Sequence, residues 1–236
     1  DEDGTFTYSS TEYCKSGSDP TPTITGTTGG TFSSTAGLSI NTSTGEINIA
    51  ASTAGTYTVS YVTSSNLCAV TGTFDVTITD DEDGTFTYAS AEYCVSGSDP
   101  TPTISGTTGG TFSSTAGLSI NASTGEIDLS ASTAGTYTVS YLTSSNTCAV
   151  TGTFDVTITP DEDASISYAS YGYCSDDSDP TPTITGTTGG TFSSTAGLSL
   201  NASTGQIDLD ASTPGSYDVT YTTSSNACAQ TSTQSI

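Results

Sequence analysis

The stretch SDPTPTISGTTGGTFSSTAGLSINASTGEIDL, residues 98–129, decides the fold of this chain. Near-copies of it begin at Ser18 and Ser178. Within it, the block GTTGGTFSSTAGLS recurs letter for letter, starting at Gly26, Gly106 and Gly186. The block carries no charged residue and no catalytic group, and its Gly-Gly pair is followed by neither a helix pattern nor a nearby Lys. We therefore interpret it as scaffold rather than as a phosphate loop.

The second half of this stretch has the pattern of a β-hairpin. Leu118 and Ile120 are spaced to share one face of a short strand, as are Ile127 and Leu129 after the turn. The turn NASTG ends on Gly125, which can adopt a positive φ. The turn also contains an N-x-S sequon that recurs at Asn41, Asn121 and Asn201. Glycosylation and a plain turn requirement for Asn both remain open.

The segments after the hairpin alternate with the period of β-strands. GTYTVSYLT, residues 135–143, places Tyr137, Val139 and Tyr141 on one face. After a turn at Ser144-Ser145-Asn146, a strand is predicted over 148–159, with its inward side chains at Cys148, Val150, Phe154, Val156 and Ile158. Each copy thus has seven or eight short strands and no helical periodicity, which predicts an all-β fold of two packed antiparallel sheets.

The triplet DED at Asp1, Asp81 and Asp161 sets a repeat of 80 residues. This period predicts three tandem domains over 1–80, 81–160 and 161–236 in a rod-like arrangement. The third copy diverges in its last strand, where Gln230, Ser232 and Gln234 replace Val150, Gly152 and Phe154. We expect that strand to be partly unpaired or to be completed by a neighbouring unit.

Six cysteines fall two to a repeat. The repeat symmetry favours one disulfide inside each domain: Cys14–Cys68, Cys94–Cys148 and Cys174–Cys228. Closing a loop of 53 residues would stabilise a small core by about 4 kcal/mol in the chain-entropy treatment. Reduced core thiols are the alternative, and metal ligation is disfavoured because there is no CxxC and no His. Disulfides would imply an oxidising location, either secreted or on the cell surface.

The formal net charge is −24, and Lys15 is the single basic residue. Such a surface repels nucleic acid and anionic bilayers and favours cationic partners. No apolar run approaches the roughly 20 residues of a membrane span. No signal peptide is apparent, so we expect a mature chain or an internal fragment of a longer one.

Acidic clusters join the repeats, at Asp80, Asp81, Glu82 and Asp83 and at Asp161, Glu162 and Asp163. Neighbouring carboxylates that repel one another are suited to Ca²⁺, which takes 6–8 oxygen ligands. Loop carboxylates are candidate additional ligands: Asp19, Asp99, Asp176, Asp177 and Asp179. A hydrated linker that keeps the surface soluble is the alternative, since the spacing of an EF-hand loop is absent.

Catalysis is not expected. Without His, no Ser-His or Cys-His pair can form, and the junction carboxylates lie on linkers rather than in a cleft. Lys–Asn crosslinks are excluded in the second and third repeats because these contain no Lys. Tyr93, Tyr171 and Tyr173 could stack on sugar rings or could simply pack at strand edges.

The segment AGLSINASTGEIDLSASTAGTYTVSY, residues 116–141, resembles the pattern of bacterial Ig-like and cadherin-like modules. The same pattern recurs over 36–61 and 196–221, and the whole repeat resembles those of large secreted surface proteins of Bacteroidetes. The resemblance implies tandem Ig-like sandwiches in a stalk or adhesin shaft. It does not indicate a ligand.

Three functions remain open from the sequence. The first is a non-catalytic structural or adhesion segment of an extracellular stalk, whose partners are neighbouring repeats, copies of itself, surface glycans or other cells. The second is a subunit of a filament assembled by strand addition. The third is a carbohydrate-binding module of a larger secreted protein.

Overall fold

The computed structural model describes residues 2–64, 68–144, 147–223 and 228–236. Asp1, and Ser145 and Asn146 of the predicted turn, lie outside the described residues. Every regular element in the described part is a β-strand. The predicted all-β class of tandem Ig-like sandwiches is confirmed, while the repeat boundaries and the rod-like arrangement stay predictions.

Eight strands form in the described residues of each of the first two repeats. The first repeat contains β1 (Phe6–Thr7), β2 (Glu12–Cys14), β3 (Thr23–Ile24), β4 (Thr31–Ser34), β5 (Ser39–Ile40), β6 (Ile47–Asn48), β7 (Gly55–Val62) and β8 (Thr71–Thr79). The second contains β9 (Phe86–Thr87), β10 (Glu92–Cys94), β11 (Thr103–Ile104), β12 (Thr111–Ser114), β13 (Ser119–Ile120), β14 (Ile127–Asp128), β15 (Gly135–Leu142) and β16 (Thr151–Thr159).

Seven strands form in the described part of the third repeat. They are β17 (Ile166–Ser167), β18 (Thr183–Ile184), β19 (Thr191–Ser194), β20 (Ser199–Leu200), β21 (Ile207–Asp208), β22 (Asp218–Thr222) and β23 (Thr231–Ser235). The chain divides into two compact units. The first unit comprises Asp1–Thr87, Thr103–Phe112 and Ser140–Thr153, and the second comprises Tyr88–Pro102, Ser113–Val139 and Phe154–Ile236.

The main sheet of the first repeat has the order β2-β8-β7-β4. β7 and β8 are antiparallel over their whole paired length, with Thr56 opposite Thr77. β2 runs parallel to β8, with Cys14 beside Thr79. The prediction of purely antiparallel sheets is therefore wrong at this edge. Alternation within a strand reveals which face is buried, but it does not reveal the direction of the neighbouring strand.

The core of the first repeat contains aromatic rings from this sheet, on β4 and β7, and from β1, which pairs with β3. Phe32 and Tyr61 lie 4.5 Å apart between ring centroids, and Phe6 meets Phe32 edge-on at 5.4 Å. Ile47 and Ile49 are fully buried beside them. Tyr61 donates its hydroxyl to the carbonyl of Thr27 at 2.8 Å. The tyrosine therefore places its ring in the core without leaving its hydroxyl unpaired.

The predicted hairpin is confirmed in the second repeat. Ile120 of β13 pairs with Ile127 of β14. Gly125 has a φ of 73°, in the left-handed region that favours glycine. Its N–H donates to the carbonyl of Asn121 at 2.8 Å, which closes the turn. Ile127 and Leu129 are fully buried, as their spacing predicts.

The divergent last strand of the third repeat is paired along its described length. β23 pairs with β22 from Thr231 to Ser235, so the expectation of a partly unpaired strand is not met there. Gln234 accepts a hydrogen bond from the backbone N–H of Tyr168 at 2.9 Å. Gln234 occupies the position that Phe74 has in the first repeat. Its side-chain amide bonds the backbone there, whereas the ring of Phe74 contacts the ring of Tyr8.

Candidate functional site: the disulfide bridges and the acidic junctions

Two disulfides join cysteines of consecutive repeats. Cys14 is bonded to Cys148, and Cys94 to Cys228, each across 134 positions and with 5.4 Å between the Cα atoms. The first bridge lies within the first compact unit and the second within the second. The predicted pairs inside single repeats, Cys14–Cys68, Cys94–Cys148 and Cys174–Cys228, are therefore wrong.

The strand register of the first repeat explains this correction. Cys14 lies beside Thr79, at the last residue of β8. Cys68 lies three positions before Thr71, which is the first residue of β8. Thr71 and Thr79 are eight residues apart in an extended strand, which corresponds to about 27 Å. Disulfides require Cα atoms within roughly 7 Å, so Cys14 cannot reach Cys68.

The bridges follow one rule, in which the first cysteine of a repeat bonds the second cysteine of the next repeat. Cys68 and Cys174 take part in neither bridge and are exposed. The sequence pattern placed Cys148 inside a strand, but β16 begins at Thr151. The positions of the cysteines relative to the strands could have indicated that the bridges join different repeats. In the first two repeats, the first cysteine is the last residue of one strand and the second lies three positions before another, at opposite ends of the same sheet.

The acidic junction after the first repeat lies against the first bridge. Ser16 donates its hydroxyl to Asp81 at 2.8 Å, although the two are 65 residues apart. The N–H of Glu82 donates to the carbonyl of Cys148 at 3.1 Å. Thr147 Oγ1 donates to Glu12 Oε2 at 3.3 Å. The bridge is therefore flanked by two hydrogen bonds that cross between the repeats, Ser16–Asp81 and Thr147–Glu12, and by one within the second repeat.

The second bridge has the same surroundings. Ser96 donates to Asp161 at 2.7 Å, and the N–H of Glu162 donates to the carbonyl of Cys228 at 3.1 Å. Both junctions thus use one serine, one aspartate and one backbone N–H at equivalent positions. Sequence analysis selected Asp81, Glu82, Asp161 and Glu162 but missed Ser16 and Ser96, because a single serine carries no distinctive pattern.

The last aspartate of each acidic cluster stabilises its own turn. Asp83 accepts hydrogen bonds from the N–H of Thr85 at 2.9 Å and from the hydroxyl of the same residue. Asp163 is held in the same way by Ser165. These bonds favour the charged carboxylate, the hydroxyl bond most strongly, and lower the pKa of both aspartates below its usual value.

The other loop carboxylates also serve the local backbone. Asp99 accepts the N–H of Leu129 at 2.9 Å, and Asp19 and Asp179 accept the equivalent N–H groups of Ile49 and Leu209. In residues 2–64, 68–144, 147–223 and 228–236, no three of the His, Cys, Asp and Glu side chains come together as a metal-binding group. Calcium binding at the junctions stays a prediction.

The candidate sugar-stacking tyrosines differ in exposure. Tyr93 and Tyr173 are half-buried, and their hydroxyls accept backbone N–H groups of Ser90 and Ser170 at 2.9 Å. Tyr171 is 81 % exposed. It borders a groove of about 590 Å³ in the third repeat, whose apolar lining includes Leu198, Leu209, Tyr217 and Ile236.

The groove borders Ile236 and the segment before Cys174. Ile236 exchanges two backbone hydrogen bonds of 2.9 Å with Tyr217, as Val76 pairs with Tyr57 in the first repeat. The segment before Cys174 forms no strand, whereas the equivalent Glu12–Cys14 forms β2 in the first repeat. The groove therefore lies beside a segment that pairs with a neighbouring strand in the first repeat but not in the third.

The sequon asparagines hold their own turns. The side-chain oxygen of Asn121 accepts the N–H groups of Ser123 and Thr124, at 2.9 and 3.2 Å, and Asn41 and Asn201 do the same. This hydrogen bonding accounts for Asn at these positions, and glycosylation stays a prediction. Among the described residues, no helix is long and apolar enough to span a membrane.

No protein-family model matches the chain, and no curated protein matches it either. Among solved structures, it resembles extracellular cadherin domains 3–6 of protocadherin gammaB7, at 9 % identity and a TM-score of 0.36, over 100 % of this chain and 77 % of that one. Mouse protocadherin PcdhgC3 domains 1–3 give 11 % identity, a TM-score of 0.34 and 87 % coverage of both chains.

A bacterial surface protein is also among the similar structures. It is a SusE-like polysaccharide-binding protein from the heparin utilisation locus of Bacteroides thetaiotaomicron, at 15 % identity and a TM-score of 0.27, over 98 % of this chain and 72 % of that one. At these scores the similarities carry no argument, and the predicted cadherin-like repeats and their link to Bacteroidetes rest on the sequence resemblance.

Proposed function

We propose that this chain is a non-catalytic segment of an extracellular stalk or adhesin, in which tandem sandwiches connect or project other parts of a protein. The observation that carries the proposal is the pair of bridges between consecutive repeats. Disulfides persist in oxidising surroundings, outside the cytosol. Bridges placed at junctions reinforce the connection between domains, which is where a chain under load would otherwise depend on a short linker.

The distribution of polar groups supports a role without catalysis. Three copies repeat the same scaffold, and the carboxylates of Asp81, Asp83 and Asp99 accept hydrogen bonds from hydroxyl or backbone N–H groups of the chain itself. The chain contains no His, so the common general base of nucleophilic catalysis is missing. What the repeats share is a core and a junction rather than a convergent set of reactive groups.

The proposal can be tested by binding measurements on the 236-residue chain. A connecting segment should show no saturable binding to glycan arrays or to cell surfaces at micromolar concentration. Tight binding of the chain to a defined soluble ligand, abolished by changes within a single repeat, would contradict the connecting role.

The groove of the third repeat favours strand addition as a second function. It is lined by the half-buried side chains of Leu198, Leu209 and Tyr217 and by residues 171–175, which form no strand. An added strand with alternating apolar side chains would supply both the backbone hydrogen bonds and the apolar contacts. A synthetic peptide TFDVTITP, the sequence of residues 153–160, should bind this groove.

Leu209→Asp is the matched test of the groove. The substitution should weaken peptide binding at least tenfold, because it places a charge in the apolar lining. Leu129→Asp lies at the equivalent place in the second repeat and would affect folding instead. Sedimentation of the intact chain should show assembly if another copy supplies the strand. A strictly monomeric chain that ignores the peptide would contradict strand addition.

Two finer proposals concern ligands. If the exposed Tyr171 stacks on sugars, Tyr171→Ala should remove binding to a glycan array, whereas Tyr8→Phe should not. If the acidic junctions bind Ca²⁺, calorimetric titration should give a saturable heat that Asp81→Asn and Asp161→Asn reduce. The absence of heat at millimolar Ca²⁺ would contradict calcium binding and would favour a hydrated linker at these residues.

A further inference from the structure

Each junction between repeats has two covalent connections rather than one. The first is the backbone through the acidic cluster, and the second is the disulfide. Cys14 and Cys148 lie on opposite sides of the junction at Asp80–Asp83, and Cys94 and Cys228 lie on opposite sides of the one at Asp161–Asp163. Disulfides confined to single repeats would leave the linker as the only covalent connection.

We propose that the staggered bridges make the chain tolerant to cleavage of its linkers and limit its extension until the disulfides are reduced. This property follows from the connectivity and holds whatever the chain binds or connects. Exposed residues lie in both acidic linkers: Asp80 and Asp81 in the first, and Pro160 and Asp163 in the second. Exposed connecting segments are where proteases cut folded chains first.

Cutting both linkers leaves all three pieces joined. The Cys14–Cys148 bridge holds the first piece to the second, and the Cys94–Cys228 bridge holds the second to the third. The hydrogen bonds from Ser16 to Asp81 and from Ser96 to Asp161 lie next to these bridges. Reduction of the two disulfides to four thiols, by two equivalents of an added dithiol that is itself oxidised, would release the cut pieces.

The same connectivity sets how far the unfolded chain can be pulled from its ends. From Asp1, the shortest covalent path runs 13 backbone steps, one per residue, to Cys14 and crosses the first disulfide to Cys148. It then runs 54 steps back to Cys94, crosses the second disulfide to Cys228 and ends 8 steps later at Ile236. This is 75 backbone steps out of 235. At about 3.5 Å per residue, the bridged chain reaches roughly 270 Å and the reduced chain roughly 820 Å, a threefold difference.

The first experiment uses the fact that Lys15 is the single basic residue. The double variant Lys15→Val, Asp80→Arg has one trypsin site, in the linker, and Val is the residue that the second repeat has at the position of Lys15. After complete digestion, we expect one full-length band on a non-reducing gel and two fragments on a reducing gel. Two fragments without reductant would overturn the proposal.

Matched cysteine variants assign the connection. In the same background, Cys148→Ser should release the fragments without reductant, whereas Cys174→Ser should leave them joined. Peptide mapping of the unchanged chain should recover Cys14 linked to Cys148, which keeps the test independent of how the variants fold. Fragments that stay joined in Cys148→Ser, or Cys14 recovered linked to Cys68, would overturn the proposal.

The second experiment is force spectroscopy on the full chain. Cys14→Ser, Cys148→Ser and the double variant should all extend to the same 101 steps, because they remove one and the same bridge. This is roughly 360 Å, about one third more than the unchanged chain. Cys174→Ser should extend no further than the unchanged chain. Additive extension in the double variant would mean that the two cysteines belong to different bridges.

Discussion

The first and third repeats share the block GTTGGTFSSTAGLS but differ at the side of the domain where their first cysteines lie. In the first repeat, Glu12–Cys14 forms a strand beside β8, and Cys14 is bridged. In the third, Gly172 and Asp176 stand at the positions of Glu12 and Ser16, and the same segment forms no strand. Cys174 takes part in neither bridge.

Two features of the repeats therefore behave differently: a ring pair of the core is the same in the first and third repeats, and the junction residues are not. Phe192 packs on Tyr221 at 4.6 Å, almost the distance between Phe32 and Tyr61. This ring pair is therefore repeated in both cores. The residues that hold the next repeat are not copied: Ser16 and Ser96 each donate to an aspartate of the following repeat, whereas an aspartate at 176 would repel one. The junction residues vary independently of the core.

The largest effect is expected at the bridged cysteine. Cys14→Ser removes a bridge that closes 134 positions, which corresponds to about 5 kcal/mol in the chain-entropy treatment. Cys174→Ser should change the free energy of unfolding by less than about 0.5 kcal/mol, as expected of an exposed site. Denaturant unfolding of the two variants measures this contrast. Equal losses would contradict the assigned connectivity.

The core substitutions should be alike in the two repeats. Phe32→Ala and Phe192→Ala each remove a buried ring that packs on a tyrosine, so each should destabilise its repeat by about 3–5 kcal/mol. Calorimetry should show one transition moving to lower temperature in each case. The exposed Thr31→Ala serves as the control, and a loss below about 1 kcal/mol at either Phe would break the equivalence of the cores.

The divergent strand should give a smaller effect. Phe74 contacts Phe6 and Tyr8 with ring centroids 6.2 and 5.7 Å apart, and each such pair contributes about 0.5–1.5 kcal/mol. Phe74→Gln should therefore destabilise the first repeat by about 1–3 kcal/mol. Gln234→Ala should remove one hydrogen bond to Tyr168 and cost about 1 kcal/mol. A neutral Phe74→Gln would show that the ring contacts contribute little.

The smallest effect concerns the exposed aspartates of the turns. The Thr5 hydroxyl and N–H lower the pKa of Asp3, as those of Ser165 do for Asp163. A depressed folded-state pKa stabilises the fold above the unfolded-state pKa, and this stabilisation is lost as the pH falls through the folded-state value. Thr5→Ala and Ser165→Ala should therefore raise these pKa values and move the loss to higher pH.

Carboxyl chemical shifts followed over pH 2–6 by NMR measure these pKa values directly. Thr7→Ala is the control for Asp3, since Thr7 is exposed on β1, two residues after Thr5, and the bonds to the Asp3 carboxylate come from Thr5. An unchanged pKa of Asp3 in Thr5→Ala would mean that the hydroxyl does not hold the carboxylate in solution.

Much of the fold could be predicted because local pattern and local structure coincide. Tyr137, Val139 and Tyr141 alternate in sequence and are buried together, and Gly125 adopts the positive φ that its turn requires. The site could be predicted only in part. All seven junction carboxylates were selected, but their partners Ser16 and Ser96 are distant in sequence, and nothing in the local pattern links them to Asp81 and Asp161.

The sequence by itself determined the repeat, because its copies can be compared directly along the chain. It also determined the strand-rich fold, the buried faces and the turns, since each of these depends on residues close to one another in sequence. The tertiary structure alone decided which cysteines meet. A parallel edge strand places Cys14 at one end of β8 and leaves Cys68 beyond the other end, so repeat symmetry pointed to the wrong partner. Disulfide pairing depends on a distance of a few ångströms in space, which the order of residues along the chain does not specify.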